Sequence, residues 1–142
     1  VKMTGPDAVT RINSAVGTGP VDAAYKAIDG LCRVKVDLTE YTVNAVVEGI
    51  ESLAQTRVSI RAKSDQNMPG AMMKANVQTG NVEARTFMAT GADSDIVVSS
   101  ARAYVAALNR MISFMRTNAE AVAGEDVIDV VAEEEEKKAT AA

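Results

Sequence analysis

The segment from Val16 to Gly30 carries the residues best suited to bind a small charged ligand. Gly17 and Gly19 leave their main-chain N–H groups unscreened by side chains, and Pro20 suits the first turn of a helix. A helix that begins here would present bare amides and the positive end of its dipole, which together can hold a carboxylate or a phosphate. A strand-to-helix turn without a ligand is the alternative that the spacing leaves open.

The sequence contains no histidine and a single cysteine, Cys32. This composition excludes Ser-His-Asp and Cys-His catalysis and an intrachain disulfide, and it removes the usual ligands of zinc and non-haem iron. Cys32 falls on the apolar face of the predicted first helix, where a small core residue is expected. No motif places a pair of carboxylates for acid–base catalysis. We therefore predict no catalytic residue and no metal site in this chain.

The composition indicates one globular domain rather than a nucleic-acid-binding or membrane protein. The 142 residues are 47% hydrophobic and 24% charged, and the net charge is −4. A negative chain without a basic, aromatic-interleaved stripe is a poor match for nucleic acid, and no run approaches the ~18 apolar residues of a membrane span. Because a strand-like run begins almost at Val1, we interpret the chain as a piece of a longer protein.

Periodicity predicts the elements that would position these residues in the first half of the chain. Val1–Thr4 and Val9–Val16 read as a hairpin, and the first helix begins at Pro20 and is expected to end at Gly30. The run from Arg33 to Val47 is strand-like, with a change of parity at Thr39-Glu40 that predicts a bulge. The apolar face of the helix comprises Val21, Tyr25, Ile28 and Cys32.

The second half repeats this order of elements. Alternation predicts strands over Thr56–Arg61 and Asn81–Thr90, separated by a polar loop over Ala62–Ala75. Gly91 to Asp95 then supplies a glycine and a polar N-cap for a second helix that runs to about Met115. Its apolar stripe comprises Val97, Ala101, Tyr104, Leu108, Met111 and Met115.

The two halves together predict an α+β fold with an internal duplication. In each half, antiparallel strands lead to a glycine and then to a helix with related residues, Ala24 to Asp29 and Ala103 to Asn109. We expect two pseudo-twofold-related units, each with one helix packed against its sheet, because a lone unit would expose an apolar face. Residues 1–116 would form this domain, and residues 117–142 would form an acidic, mostly disordered tail.

Three motifs, in order along the chain, resemble the C-terminal regulatory domain of 2-isopropylmalate synthase, and in particular its plant and algal plastid type. They are Gly17-Thr18-Gly19-Pro20-Val21-Asp22-Ala23, Glu40-Tyr41, and the run from Asp95 to Arg110. The resemblance covers Val1 to about Phe114. It implies a parent enzyme that condenses acetyl-CoA with 2-oxoisovalerate in leucine synthesis, in the plastid stroma or otherwise in the cytoplasm.

The resemblance also implies how the parent enzyme divides its tasks. Catalysis would belong to a separate (β/α)₈ barrel of the same polypeptide, absent from this chain, which binds a divalent metal. This chain would form a homodimer and bind leucine as the effector of feedback inhibition. The family's leucine contacts correspond here to Gly17, Thr18, Gly19, Val21, Leu38, Tyr41, Ala45, Ser52, Ala54 and Ile96.

The residues themselves support part of this assignment, since a free amino acid needs a carboxylate holder, an ammonium holder and an apolar slot. The amides of Gly17–Gly19 suit the carboxylate, and Val21, Leu38 and Ala45 suit the slot. The ammonium holder stays open among Asp22, Glu48, Glu51 and Asp93. Because a methylene in an apolar slot is worth only about 1–3 kcal/mol, we expect modest selectivity over valine and isoleucine.

Two other functions fit the same residues. The domain could hold catalytic subunits together without binding a small molecule. Gly17→Asp discriminates, because it should abolish effector binding while leaving an assembly-only domain dimeric. The domain could instead sense isoleucine in a citramalate synthase, a class of enzyme that shares this domain. A competition series of leucine, isoleucine and valine separates these two effectors.

Overall fold

The structure is a computed structural model that describes residues 1–46, 52–63, 73–75 and 77–140, with side chains described up to residue 120. It divides into two compact units, Val1–Arg110 and Met111–Ala142. The elements, in chain order, are β1 (Lys2–Thr4), β2 (Thr10–Ile12), α1 (Pro20–Cys32), β3 (Val36–Ala45), β4 (Ala54–Ala62), β5 (Met73–Ala75), β6 (Val82–Ala84), β7 (Thr86–Asp93) and α2 (Ile96–Thr140).

The expected α+β class, with antiparallel strands and two helices, is confirmed. The strands form a three-stranded sheet in the order β3-β4-β7 and two hairpins, β1–β2 and β5–β6, and every pairing is antiparallel. The strands that lead to α2 therefore outnumber those that lead to α1 in the part of the chain that the structure describes. The pseudo-twofold relation between the two halves stays a prediction.

The predicted bulge in β3 is confirmed, and it decides which side chains share a face. The register shifts between Leu38 and Glu40. Leu38 then lies opposite Ile60 and Tyr41 lies opposite Val58, two residues away on β4. Because alternate residues of a strand point to the same side, the bulge returns Tyr41 to the face that Leu38 occupies.

This face of the sheet carries the core of the first unit. Alternate residues of β4 are buried, including Val58 and Ile60, which are both 0% exposed. The two helices bring Ile28 and Leu108 to the same core, and both are also almost fully buried. Among the described residues of this unit, the buried apolar ones are Tyr25, Ala27, Ile28, Ala54, Val58, Ile60, Phe87, Ala89, Ala103, Tyr104, Ala107 and Leu108.

The expectation that Gly30 ends the first helix is wrong. The helix α1 continues to Cys32 and is capped by Arg33, whose backbone adopts the left-handed conformation at φ 55°. The Arg33 N–H donates to the carbonyl oxygen of Asp29 at 2.9 Å, which closes the last turn.

Gly30 is required for packing rather than for termination. A Cβ at Gly30 would collide with the side-chain amide of Asn13. That amide donates to the carbonyl oxygen of Ala27 at 3.0 Å, so the segment after β2 is tied to the last turns of α1. The glycine leaves room for this crossing.

The strand predicted over Asn81–Thr90 is divided in two, because Arg85 separates β6 from β7. Within the loop predicted over Ala62–Ala75, Met73–Ala75 is a strand that pairs with β6. Residues 64–72 of that loop lie outside the described residues.

The N-cap predicted for α2 is confirmed, but the predicted end is wrong. Asp95 Oδ1 accepts the N–H of Val97 at 2.7 Å and that of Val98 at 3.4 Å. The helix runs to Thr140 rather than to about Met115. Alanine, glutamate and lysine are strong helix formers, which favours this continuation. The disorder expected of residues 117–142 stays a prediction. The domain boundary at residue 116 stays a prediction.

Candidate functional site

The N-terminus of α1 is closed by its own aspartate, which corrects the expectation of bare amides at Thr18. Asp22 Oδ2 accepts the Thr18 N–H at 2.9 Å and the Lys26 ammonium at 2.8 Å. The Lys26 hydrogen bond and the Thr18 N–H hold the pKa of the Asp22 carboxyl below its usual range. Asp22 is therefore an internal anion in front of the helix and is not free to hold an ammonium group.

Gly17 and Gly19 differ in what their missing side chains allow. A Cβ at Gly17 would stand 2.5 Å from the Ala23 nitrogen and 2.5 Å from Asp22 Oδ2, so only glycine fits against the first turn of α1. A Cβ at Gly19 would meet nothing within 4 Å, and Gly19 is extended at φ −157°, which any residue adopts. The close approach at Gly17 fixes the loop, whereas Gly19 faces open space.

The β3 residues among the predicted contacts lie together on the core-side face of an edge strand. Leu38 and Tyr41 are 45% and 39% exposed although they share this face with the buried residues of β4. Ala45, also exposed, lies directly opposite Ala54 on β4. The edge of the sheet therefore presents an open apolar surface, formed by residues that the sequence predicts to contact one ligand.

Tyr41 connects this surface to α1. Its ring packs edge-to-face on the ring of Tyr25, with the centroids 6.4 Å apart. Tyr25 lies four residues after Val21, one helical turn along α1. The structure thus joins the strand and the helix that carry the predicted contacts, and it does so through a buried tyrosine that the sequence assigns only to the core.

The remaining predicted residues lie at chain connections. Ser52 is exposed before β4, and Ile96 is the first residue of α2 and is 50% exposed. Among the carboxylates considered for an ammonium group, Asp93 forms an ion pair with Arg102 at 2.9 Å. Glu48 and Glu51 lie outside the described residues.

A buried group of hydroxyls beside Tyr41 was missed by the sequence reasoning. Tyr41 Oη and Ser100 Oγ are 2.9 Å apart, and Thr56 Oγ1 and Ser99 Oγ are 2.8 Å apart. The Tyr25 hydroxyl also donates to the carbonyl oxygen of Ser100, at 3.3 Å. The sequence does contain a signal that these hydroxyls are buried. Thr56 alternates with Val58 and Ile60 on the apolar face of β4, and Ser100 lies four residues before Tyr104, on the apolar side of α2.

A second polar contact joins the two helices. The Tyr104 hydroxyl donates to Asp29 Oδ1 at 2.6 Å, and the Tyr104 ring stacks on Tyr25 with the centroids 4.1 Å apart. Burial raises the pKa of the Asp29 carboxyl, an effect that the Tyr104 hydrogen bond opposes. Burial also raises the pKa values of both tyrosines, so their hydroxyls stay protonated and can donate.

Three cavities of the described chain lie away from the predicted effector site. None of the ten residues that correspond to the family's leucine contacts lines them. One of about 520 Å³ lies between the end of β2 and the end of α1, beside Arg11, Asn13 and Arg33. The other two, of about 480 and 450 Å³, lie around the β5–β6 hairpin.

No group of three or more acidic, histidine or cysteine side chains that could hold a metal ion occurs among the described residues. Within the same residues, no helix is both long and apolar enough to cross a membrane.

Comparison with known proteins finds one family and a consistent set of relatives. Residues 1–112 match the family described as the LeuA allosteric (dimerisation) domain. The chain is 50% identical over 116 residues to 2-isopropylmalate synthase B of Solanum pennellii, covering 82% of this chain and 18% of that protein. It is 47% identical over 114 residues to the chloroplastic 2-isopropylmalate synthase 2 of Arabidopsis thaliana, covering 80% and 17%.

More distant relatives carry the same name. The chain is 41% identical over 111 residues to a 2-isopropylmalate synthase of Gloeobacter violaceus, covering 78% of this chain and 17% of that protein. The chain thus spans less than one fifth of the length of the curated relatives it matches.

Proposed function

This chain belongs to the family of LeuA allosteric (dimerisation) domains, and on that premise we propose that it is the regulatory part of a 2-isopropylmalate synthase. The parent enzyme would condense acetyl-CoA with 2-oxoisovalerate on a separate catalytic barrel. A divalent metal would belong to that barrel and not to this chain. The chloroplastic relative supports a location in the plastid.

The effector in this proposal is leucine, bound by the loop before α1 and by the core-side face of β3. The observation that carries it is the contact of Tyr41 with Tyr25, because this contact joins the two elements that supply most of the predicted residues. Leu38 and Ala45 offer apolar surface at the edge of the same face. An aliphatic side chain bound there would remove that surface from water, which is favourable.

The backbone before α1 would hold the effector's carboxylate. The Thr18 N–H is already bonded to Asp22, so the N–H of Gly19 and the first free amides of α1 are the donors left for this role. Asp22 is already bonded to Thr18 and Lys26, so the ammonium group of the effector would need another acceptor.

The domain would also join two copies of the parent enzyme, as the family description states for its members. We place the dimer interface near the effector surface, because the exposed apolar side chains of β3 lie there. A second copy over this surface would enclose the bound leucine. The effector would then stabilise the dimer.

Calorimetric titration of leucine into this chain is the direct test, and saturable heat with a raised unfolding temperature at millimolar leucine is expected. Isoleucine and valine titrated in parallel identify the effector, and a preference for isoleucine would favour a citramalate synthase as the parent. Absence of heat and of a thermal shift with all three, in a chain that is dimeric by light scattering, would leave assembly alone as its function.

A further inference from the structure

We propose that a chain of hydroxyl groups couples Tyr41, at the edge of the sheet, to the first turn of α2, and that it carries the effector signal between them. The inference rests on the proposed function to the extent that Tyr41 forms a wall of the effector site. The coupling itself follows from contacts among residues that no comparison assigns.

The hydroxyl chain has four hydroxyl groups and ends on a backbone carbonyl oxygen, with four hydrogen bonds along it. Tyr41 Oη and Ser100 Oγ are 2.9 Å apart, and Ser100 Oγ and Thr56 Oγ1 are 3.4 Å apart. Thr56 Oγ1 and Ser99 Oγ are 2.8 Å apart, and Ser99 Oγ donates to the carbonyl oxygen of Ile96 at 3.0 Å. The links run from β3 to Ser100 in α2, back to Thr56 on β4, and from there to Ser99 and Ile96 in the first turn of α2.

The number of protons determines the direction of every link. A carbonyl oxygen only accepts, so the single Ser99 proton is used on Ile96. Thr56 must then donate to Ser99, Ser100 must donate to Thr56, and Tyr41 must donate to Ser100. All four hydrogen bonds therefore point the same way, from the edge of the sheet towards the start of α2, and hydrogen bonds aligned in this way strengthen one another.

The three hydroxyls in the middle of the chain are buried, whereas the Tyr41 ring at its start is exposed. Thr56, Ser99 and Ser100 are all 0% exposed, whereas Tyr41 is 39% exposed. A ligand on the β3 surface can therefore contact the Tyr41 ring but cannot contact the three hydroxyls behind it. A ligand bound on the β3 surface therefore acts on this route through Tyr41.

Movement of Tyr41 would change the hydrogen bonding of every member. If a bound ligand shifts the ring, Ser100 Oγ loses its donor, and a buried polar atom without its partner is unfavourable. The remaining hydroxyls then lower their energy by reorienting, which alters the bond to Ile96 in the first turn of α2. Both ends of this route, Tyr41 and Ile96, are predicted effector contacts, so the bound effector would sense the two ends together.

A first test needs no effector and measures amide hydrogen exchange in the full-length synthase that contains this domain. Tyr41→Phe removes the first donor and keeps the ring. We expect several-fold faster exchange in the first two turns of α2, at residues 96–103. Tyr25→Phe is the matched control, because it removes a buried tyrosine hydroxyl that bonds to the Ser100 carbonyl and lies outside the hydroxyl chain. Equal exchange in the two variants would overturn the coupling.

A second test measures feedback in the same enzyme as the ratio of activities with and without saturating leucine. Thr56→Val and Ser99→Ala break the chain without removing the partner of Tyr41, so leucine binding by calorimetry should stay close to that of the wild type. The inhibition ratio should fall by about fivefold or more, as expected when an allosteric coupling is lost.

The outcomes separate this inference from the proposed function. If the wild type neither binds leucine nor is inhibited by it, the proposed function fails, and the exchange experiment still decides the coupling. If the wild type is inhibited and Thr56→Val and Ser99→Ala are inhibited to the same extent, the route through the hydroxyls is wrong and the function stands. Retained binding with lost inhibition in both variants would support the inference.

Discussion

At the scale of single residues, the loop before α1 shows how neighbouring glycines take different roles. Gly17 lies against the first turn of the helix with no room for a Cβ, whereas Gly19, the N-cap residue, has open space where its Cβ would be. Asp22 bridges the two sides of the turn by accepting from Thr18 and Lys26. The conformation of the loop is thus set by one close approach and one carboxylate, and the rest of its surface is free to meet a ligand.

We expect Gly17→Ala to destabilise the domain by about 1–3 kcal/mol, since the added methyl group would overlap backbone and force the loop off the helix. Gly19→Ala adds the same group in open space and is expected to change the free energy of unfolding by less than about 0.5 kcal/mol. Urea denaturation of both variants measures the difference. Similar losses in the two variants would contradict this account of the loop.

Asp29 predicts a dependence of stability on pH. Its pKa is raised from the ordinary value of 3.8 because the carboxyl is partly buried. The folded state therefore binds the proton of Asp29 more tightly than the unfolded state does. This tighter binding stabilises the folded state at pH values below the ordinary pKa, and the stabilisation is lost as the pH rises through the raised pKa of the folded state. Asp29→Asn keeps an acceptor for Tyr104 and cannot ionise.

The unfolding free energy of Asp29→Asn, relative to that of the wild type, should therefore increase from acidic to neutral pH. Urea denaturation at several pH values measures it. Asp22→Asn is the control of opposite sign. The pKa of Asp22 is lowered, so its charge stabilises the folded state at pH values above the ordinary pKa, and this stabilisation is lost on acidification. The unfolding free energy of Asp22→Asn, relative to that of the wild type, should therefore decrease from acidic to neutral pH. A relative stability of Asp29→Asn that is independent of pH would show that the Asp29 carboxyl titrates as it does in the unfolded chain.

At the scale of elements, α2 packs closely along β7. Arg102 donates to the carbonyl oxygen of Ala92 at 3.2 Å, and Arg110 donates to that of Met88. Because β7 is an edge strand, these two arginines occupy backbone acceptors that would otherwise be free to pair with another strand. The opposite edge, β3, is the one that carries the predicted effector contacts.

The close packing of α2 depends on Gly91 in β7. A Cβ there would stand 2.7 Å from the Ala103 nitrogen and would collide with the carbonyl oxygen of Ser99. Gly91→Ala should therefore cost about 1–3 kcal/mol of stability, with Thr90→Ala, an exposed neighbour, as the matched control. Thermal unfolding followed by circular dichroism measures both. If Gly91→Ala unfolds at the same temperature as the wild type, α2 can move away from β7 without loss of stability, and this prediction is wrong.

At the scale of the whole described unit, Val1–Arg110, three tyrosines hold the helices and the sheet together. Tyr25 stacks on Tyr104 and packs edge-to-face on Tyr41. The hydroxyls of Tyr25 and Tyr41 both reach Ser100, and that of Tyr104 reaches Asp29. The domain has few aromatic residues, and its three tyrosines lie together where α1, β3 and α2 meet. This is also where the proposed effector would bind.

The sequence by itself determined the local features of this protein. The α+β class, the bulge near Thr39-Glu40, the start of α1 at Pro20 and the N-cap at Asp95 all follow from the spacing of residues that are close in the chain. The resemblance to the regulatory domain followed from motifs of the same kind. Short-range periodicity and backbone preferences are sufficient for such features, because the interacting residues are a few positions apart.

Only the tertiary structure decided which polar groups meet. Tyr41 and Ser100 are 59 residues apart in the chain, and Thr56 and Ser99 are 43 apart. The role of Gly30 depends likewise on Asn13, which reaches the helix from a separate segment. Periodicity shows which face of an element is buried, but not which partner covers that face. The hydrogen bonds among buried side chains depend on that partner, and they became visible only once the sheet and both helices were in place.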